Sequence, residues 1–170
     1  MKNQGILALF IGVSLVACGG SSGRTATAYK PSDFPMRSSE TWSALWLLDK
    51  QEVGVVFQLK STPAIDSDGD VSASLNVSGS GAEAGVGYID NSDGTFVVTI
   101  KIKTLRFTCY APLGSNWGAA VVGKGVVSVN SNNPTALPCA MGKNVNALTG
   151  KKWSPSQEIS SKAVKDLEIK

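Results

Sequence analysis

The segment VSASLNVS, residues 71–78, alternates strictly between apolar and small polar side chains. Val71, Ala73, Leu75 and Val77 share one parity, and serines and an asparagine take the other. Because successive side chains of a β-strand point to opposite faces of the sheet, this pattern predicts a strand with one buried and one wet face.

Two segments on the N-terminal side have the same two-residue period. Their apolar members are Trp42, Ala44, Trp46, Leu48, Val53, Val55, Phe57 and Leu59. A short helix would align Trp42 and Trp46 equally well, since they lie four residues apart. We interpret both segments as strands.

On the C-terminal side, the run Ser78-Gly79-Ser80-Gly81 predicts a tight hairpin turn. The next strand is expected to point one set of side chains inward, opposite Glu83, Gly85 and Gly87. That inward set is Ala82, Ala84, Val86 and Tyr88. A second turn is predicted at residues 90–94, where Asp, Asn, Ser and Gly cluster.

Residues 95–107 read as one long strand whose apolar parity changes after Ile102. One extra residue would restore the alternation, so the sequence predicts a β-bulge or bend near Thr104, with Cys109 facing inward. Residues 119–129 are a further β-rich run, in which Gly123 and Gly125 suggest a bend. Residues 130–136 are interpreted as a turn-rich stretch, and in the tail residues 156–170 suit either a short helix or an edge strand.

Short strands joined by turns every eight to twelve residues predict an all-β fold, either an antiparallel β-sandwich or a small up-and-down β-barrel. The sequence alone leaves both open. The length of 170 residues suits one domain, which we place at residues 40–170. Residues 18–39 are rich in Gly, Ser and Pro, and we interpret them as a flexible tether.

The start of the chain has the layout of a secretory signal at residues 1–17. Lys2 supplies a positive end, and the apolar run from Ile6 to Ala17 is shorter than the roughly 20 residues of a membrane-spanning helix. The run ends in Leu15-Val16-Ala17-Cys18, which resembles the lipobox of bacterial lipoprotein precursors. The resemblance covers residues 1–18 and no family is recognised for the rest.

This resemblance implies that Cys18 receives a diacylglyceryl group and, after cleavage before it, a fatty acid such as palmitate on its amino group. Two acyl chains make a stable membrane anchor. Gly19 stands where inner-membrane lipoproteins of Gram-negative bacteria commonly have aspartate, so the resemblance implies attachment to the outer membrane.

If the lipid takes Cys18, then Cys109 and Cys139 remain as an even pair in an oxidising compartment, and a disulfide is expected. The chain has no histidine, which excludes Ser-His-Asp and Cys-His sites and histidine-ligated zinc. We therefore expect no enzymatic activity and no cofactor. The formal net charge is +3 with scattered basic residues, so no nucleic-acid partner is expected.

Asp66, Asp68 and Asp70 alternate as calcium ligands do at the start of a binding loop. Val71 and Val77 stand where such a loop needs a glycine and a bidentate acid, so a solvated loop is the preferred interpretation. The four tryptophans, Trp42, Trp46, Trp117 and Trp153, suit either core positions or an aromatic platform.

These observations favour a non-enzymatic, lipid-anchored envelope protein that acts as an interaction or accessory subunit of an envelope assembly. One alternative is a lipoprotein whose barrel binds a small hydrophobic ligand. A hydrolase that works through carboxylates is a third and weaker hypothesis.

Overall fold

The computed structural model describes residues 28–48, 51–118, 120–129 and 132–143. A 3-10 helix at Pro31–Asp33 precedes nine strands: β1 Trp42–Leu48, β2 Gln51–Leu59, β3 Ala64–Ile65, β4 Val71–Ser78, β5 Ala82–Asp90, β6 Thr95–Ile102, β7 Leu105–Pro112, β8 Val121–Val129 and β9 Asn132–Gly142. Among these residues, no helix is long and apolar enough to span a membrane. The predicted signal segment, Cys18, Trp153 and the tail after Lys143 lie outside the described residues.

Eight of the strands form a closed antiparallel barrel. Their hydrogen-bonded order is β2-β1-β9-β8-β7-β6-β5-β4, and pairing of β4 with β2 closes the ring. The short β3 pairs with the start of β4. Apart from β3, strands that follow one another in the chain are hydrogen-bonded neighbours, and β9 pairs with β1. Of the two predicted architectures, the up-and-down barrel is therefore confirmed and the sandwich is not.

Aromatic side chains fill the barrel interior. Trp42, Trp46, Phe57, Phe96 and Phe107 are all fully buried, with ring centroids 5.6 Å apart between Trp46 and Phe107 and 6.1 Å apart between Trp42 and Phe96. An eight-stranded barrel is just wide enough for side chains to fill it. The strand and core interpretations of Trp42 and Trp46 are thus confirmed.

One end of the barrel is closed by the segment that precedes β1. Phe34 and Met36 are fully buried in the barrel core, and the Phe34 ring meets the Phe96 ring edge-on at 5.3 Å. We call residues 28–40 the plug. Packing therefore starts earlier than the predicted boundary at residue 40, because two apolar side chains in a polar stretch find space inside the barrel.

Residues 95–107 are not one bulged strand, as the parity change suggested. β6 ends at Ile102, β7 starts at Leu105, and these two residues pair directly across a two-residue turn. Lys103 takes the left-handed backbone conformation that such turns need, with φ of 54°. Because Ile102 and Leu105 are paired, both face inward although they are three residues apart. The turn therefore shifts the inward-facing positions by one residue, as a bulge would. Cys109 faces inward, as predicted.

The predicted inward set of β5 is wrong. Gly85, Gly87 and Ile89 face the core, whereas Val86 and Tyr88 face outward and Ala84 is exposed. The interior volume explains the reversal. A Cβ on Gly85 would lie 2.6 Å from Val77 Cγ1, and one on Gly87 would lie 3.2 Å from the Phe34 ring. Neighbouring elements already fill the space that inward side chains of β5 would occupy.

β9 also differs from the prediction, because much of the stretch at 130–136 belongs to this strand. Pro138 pairs with Lys124 of β8, and Pro134 lies at a register irregularity between Val127 and Val129; both precede Cys139, where the pairing of β9 with β1 starts. A residue without an N–H group is tolerated at such an unpaired edge.

The predicted disulfide is confirmed. It joins Cys109 of β7 to Cys139 of β9, with their Cα atoms 5.9 Å apart, although β8 lies between the two strands. Two β8 glycines face the cysteines: Gly125 pairs with Cys109 and Gly123 pairs with Cys139. A Cβ on Gly125 would lie 3.0 Å from the Cβ of Cys139 and 2.6 Å from the Leu137 carbonyl oxygen. The missing side chain leaves room for the bond inside the barrel.

Glu40 links the plug to the residue that follows β9. Its carboxylate accepts hydrogen bonds from the Lys143 ammonium, the Trp42 indole N–H at 3.2 Å and the Arg37 backbone N–H at 3.1 Å. Partial burial raises the pKa of Glu40, but these three bonds outweigh it and leave the pKa below its ordinary value of 4.5. The ionised form is therefore favoured by folding.

Glu40→Gln is expected to lower the free energy of unfolding at pH 7 by up to about 1 kcal/mol, because the pair is partly exposed. A depressed pKa contributes stability above the unfolded-state pKa and loses it as pH falls through the folded-state pKa. The difference from wild type should thus shrink below about pH 4.5. Urea unfolding at pH 7 and pH 3 checks this, and Glu83→Gln, which breaks an exposed pair with Lys101, is the matched control. A deficit unchanged at pH 3 would contradict the assignment.

Candidate functional surface

The acidic loop before β4 is stabilised by its own carboxylates. Asp66 Oδ1 accepts the backbone N–H groups of Asp68 and Asp70, both at 3.0 Å, and Asp70 Oδ1 accepts the Asn91 N–H at 2.9 Å. The Asn91 side chain in turn accepts the Tyr29 N–H at 3.1 Å and donates to the Gly69 carbonyl. These bonds tie the loop to the plug and to the turn between β5 and β6.

The three predicted calcium ligands therefore have different surroundings. Two of them cap backbone N–H groups, as aspartates commonly do in turns. Among the described residues, no group of three or more carboxylate, thiol or imidazole side chains is placed to hold a metal ion. The Asp66 and Asp70 carboxylates therefore stabilise the backbone of the loop.

Asp66→Ala is expected to lower the free energy of unfolding by about 1 kcal/mol, because it removes the acceptor of two backbone N–H groups. Asp68→Ala, whose carboxylate accepts no hydrogen bond within the described residues, should change it by less than about 0.5 kcal/mol. Neither wild type nor variant should gain melting temperature in millimolar calcium. A calcium-dependent rise that Asp68→Ala abolishes would instead establish a bound ion.

Sequence reasoning missed the outer face of strands β5 to β8. In the barrel register, Tyr88, Val97, Tyr110 and Lys124 lie side by side across these four strands. The next outward row is Val86, Thr99, Thr108 and Val126. We call the apolar and aromatic members of this region the tyrosine face: Val86, Tyr88, Val97, Tyr110, Val122 and Val126.

The tyrosine face combines buried and exposed apolar groups. Val122 is 59% exposed, Val86 44% and Tyr110 36%, yet Val97, in register between the two tyrosines, is 1% exposed. Few large apolar side chains of the described barrel are this exposed. Tyr110 and Val122 border one depression, and Val86 borders another at the β5 edge of the face. A contiguous exposed apolar patch with a polar rim commonly marks an interaction site.

Two depressions border the tyrosine face. One, of about 830 Å³, lies along Tyr110, Val122, Lys124 and Val126 and reaches the turn at residues 93–95. The other, of about 330 Å³, lies between Tyr88 and Val86 on one side and the acidic loop on the other. The face is therefore rimmed by carboxylates at its plug end and has one lysine within it.

Burial raises the pKa of the Tyr88 hydroxyl, and the nearby Tyr110, Asp90, Asp70 and Asp93 groups raise it further. The hydroxyl thus stays protonated and remains able to donate a hydrogen bond at and above neutral pH. An aromatic ring with a polar end suits a protein interface, where tyrosine is enriched.

A third depression, of about 580 Å³, lies between the plug and the loop after β2 and has Arg37 and Lys60 in its wall. The Arg37 guanidinium donates to the carbonyl oxygens of Phe34 and Met36. These hydrogen bonds stabilise the conformation of the plug. We therefore consider this depression a weaker candidate binding surface than the tyrosine face.

Trp117 covers the plug end of the core. Its ring lies 5.3 Å from Trp42 and 5.4 Å from Phe96, and its indole N–H donates to the Leu113 carbonyl at 3.1 Å. The described tryptophans thus pack with the barrel and form no exposed platform.

Off-phase apolar residues were the available signal for the tyrosine face. Val97 stands on the outer parity of the most apolar strand, and Val122 and Val126 have the outer parity of β8.

Comparison with known proteins finds no family model, no curated protein and no solved structure that matches this chain.

Proposed function

We propose that this chain is a lipid-anchored protein of the bacterial cell envelope, attached through Cys18, that binds another envelope protein through the tyrosine face. The observation that carries the proposal is the exposure of Val86, Tyr110 and Val122 along the outer wall of β5 to β8, on a barrel whose interior is already packed. With an aromatic-filled core, the outer wall is where a partner finds apolar area to bury.

The anchor and the surface are compatible in space. The described chain enters at the plug end, where the Tyr29 N–H bonds Asn91. Residues 18–28 would span roughly 18 Å as a flexible chain, enough to hold the barrel near a membrane without insertion. The tyrosine face runs along the barrel wall, so it stays accessible while the plug end is tethered. We also propose attachment to the outer membrane, because Gly19 stands where inner-membrane lipoproteins of Gram-negative bacteria commonly have aspartate.

A barrel that binds a small hydrophobic ligand is the alternative, and the barrel architecture suits it. The interior positions are taken by Trp42, Trp46 and Phe107, all fully buried. A ligand inside would have to displace these side chains, which favours the protein partner. We propose no enzymatic activity, since a sequence with no histidine cannot form the common histidine-dependent nucleophilic sites.

The partner proposal is tested by a photo-crosslinking amino acid placed at Val122 in the native envelope. A defined protein adduct is expected there, and none at Asn76, an exposed outward position on β4 outside the face. Adding Tyr110→Ala should reduce the adduct at least fivefold without changing the barrel's circular dichroism. Native mass spectrometry that finds a bound small molecule and no protein would favour the ligand-binding alternative.

The anchor is tested separately by Cys18→Ser. This variant should incorporate no labelled fatty acid and should leave the membrane fraction or accumulate uncleaved, because the thiol is the lipid attachment point. Incorporation of fatty acid into Cys18→Ser, or unchanged membrane attachment after correct cleavage, would contradict it.

A further inference from the structure

The third depression, between the plug and the loop after β2, has a wall rich in hydrogen-bond donors. Two cationic residues border it, Arg37 and Lys60. The hydroxyl residues Ser32, Ser38 and Thr62 are also in its wall, and no carboxylate is among the described residues that line it. The depression at the acidic loop is its opposite, since four aspartates border that one. An anion at this end of the barrel is therefore attracted to the third depression and repelled from the other.

The fold leaves several of these donors unused. The Arg37 Nη1 donates to the carbonyl oxygens of Phe34 and Met36, and Nη2 lies 3.5 Å from the Ser32 carbonyl oxygen. A guanidinium has five N–H groups, so its Nε–H and one Nη2 hydrogen have no partner among the described residues. The Lys60 ammonium and the three hydroxyl groups likewise have none in the part of the chain that the structure describes.

The backbone on both sides of the depression is already fixed. The N–H groups of Lys60 and Ser61 donate to the Ser74 carbonyl of β4 at 2.9 Å and 3.3 Å, and the Ser61 hydroxyl accepts the Ser74 N–H at 2.9 Å. On the other side, the bonds of Arg37 and the buried Phe34 fix the plug. A ligand therefore orders side chains here and little backbone, which lowers the entropic cost of binding.

We propose that the third depression binds an organic phosphate ester. A phosphate group carries up to two negative charges and three strong acceptor oxygens, and arginine and lysine are the side chains that commonly bind it. The volume of about 580 Å³ is larger than a phosphate group alone and lies in the range of small-molecule sites. Pro31, Leu59 and Pro63 line the same depression and offer apolar surface to the organic part of the ligand.

Two sources supply such an ester, a phospholipid headgroup and a soluble phosphorylated molecule. The plug lies at the barrel end where the described chain begins, so the proposed anchor at Cys18 would hold the depression near lipid headgroups. A soluble ester needs no membrane. Glycerol 1-phosphate is the probe for the soluble source, and dihexanoylphosphatidic acid, a short-chain phospholipid, is the probe for the headgroup.

Isothermal titration calorimetry of the purified full chain in detergent, at constant ionic strength, tests the proposal. Both probes are expected to bind, and Lys60→Gln should weaken their binding at least fivefold because it removes a charged donor. Tighter binding of the lipid probe assigns the site to a headgroup, and equal or weaker binding assigns it to a soluble ester. Both results support a phosphate site. Binding of neither probe would overturn it.

The matched control is Lys103→Gln, which removes the same charge from an exposed lysine in the turn between β6 and β7, at the opposite end of the barrel. This variant should change the affinity for either probe less than twofold. Because Lys60 is exposed, its variant should stay folded, which circular dichroism checks. Equal losses of affinity in Lys60→Gln and Lys103→Gln would refute the site. The experiment needs no protein partner, so its outcome is independent of the tyrosine face.

Discussion

Replacing Trp46 with alanine is expected to lower the free energy of unfolding by about 4 kcal/mol, as the loss of a large buried aromatic usually does. Trp46 is fully buried in the barrel, with its ring 5.6 Å from Phe107. Its indole N–H donates to the Thr108 carbonyl at 3.0 Å, which ties β1 to β7 across the interior. Alanine would leave a cavity and would remove this hydrogen bond.

Urea unfolding measures this loss through the shift in midpoint at unchanged slope. Trp117→Ala is the matched control, because that indole is only partly buried and should cost about half as much. Trp46→Phe keeps most of the packing but loses the bond to Thr108, so it should cost about 1–2 kcal/mol and remain folded if the alanine variant does not. A smaller loss at Trp46 than at Trp117 would show that the interior is not packed as described.

The strands could be predicted because their alternation is a local property. Val71 to Ser78 and Val53 to Leu59 carry their inward and outward sets in the sequence itself, and both are strands with the predicted faces. The choice between sandwich and barrel could not be made this way. It depends on whether β4 returns to pair with β2 and β9 with β1, which are contacts between distant residues.

The turn at Lys103 and Thr104 shows a second limit. A β-bulge and a two-residue hairpin both change the parity of the apolar residues, and neither glycine nor asparagine marks this turn. Only the direct pairing of Ile102 with Leu105 distinguishes them. The inward direction of Cys109 was nevertheless predicted, because both interpretations place it on the same side.

The tyrosine face was missed for a related reason. Sequence reasoning assigned Val86 and Tyr88 to the core because apolar residues normally face inward. In the barrel, the interior next to β5 is taken by Phe34 from the plug and by Ile100 from β6, so glycines face inward there. Packing volume supplied by distant residues thus reversed the strand and placed a tyrosine on the surface.

Removal of the disulfide is the other change with a large expected effect. Cys109→Ala should lower the free energy of unfolding by about 3.5–4 kcal/mol, as chain entropy assigns to a bond that closes a loop of 30 residues. Cys139→Ala should cost a similar amount. The double variant should cost little more, since both changes remove the same bond. Two independent, additive losses would contradict this account.

The disulfide and Trp46 stabilise the barrel in different ways, and a reductant separates them. The bond acts mainly by limiting the unfolded chain, whereas Trp46 acts through contacts of the folded barrel. Full reduction should therefore bring wild type down to the stability of Cys109→Ala. The deficit of Trp46→Ala relative to wild type should persist when both proteins are reduced. If reduction left wild type unchanged in urea unfolding, closure of the barrel would not depend on the bond between β7 and β9.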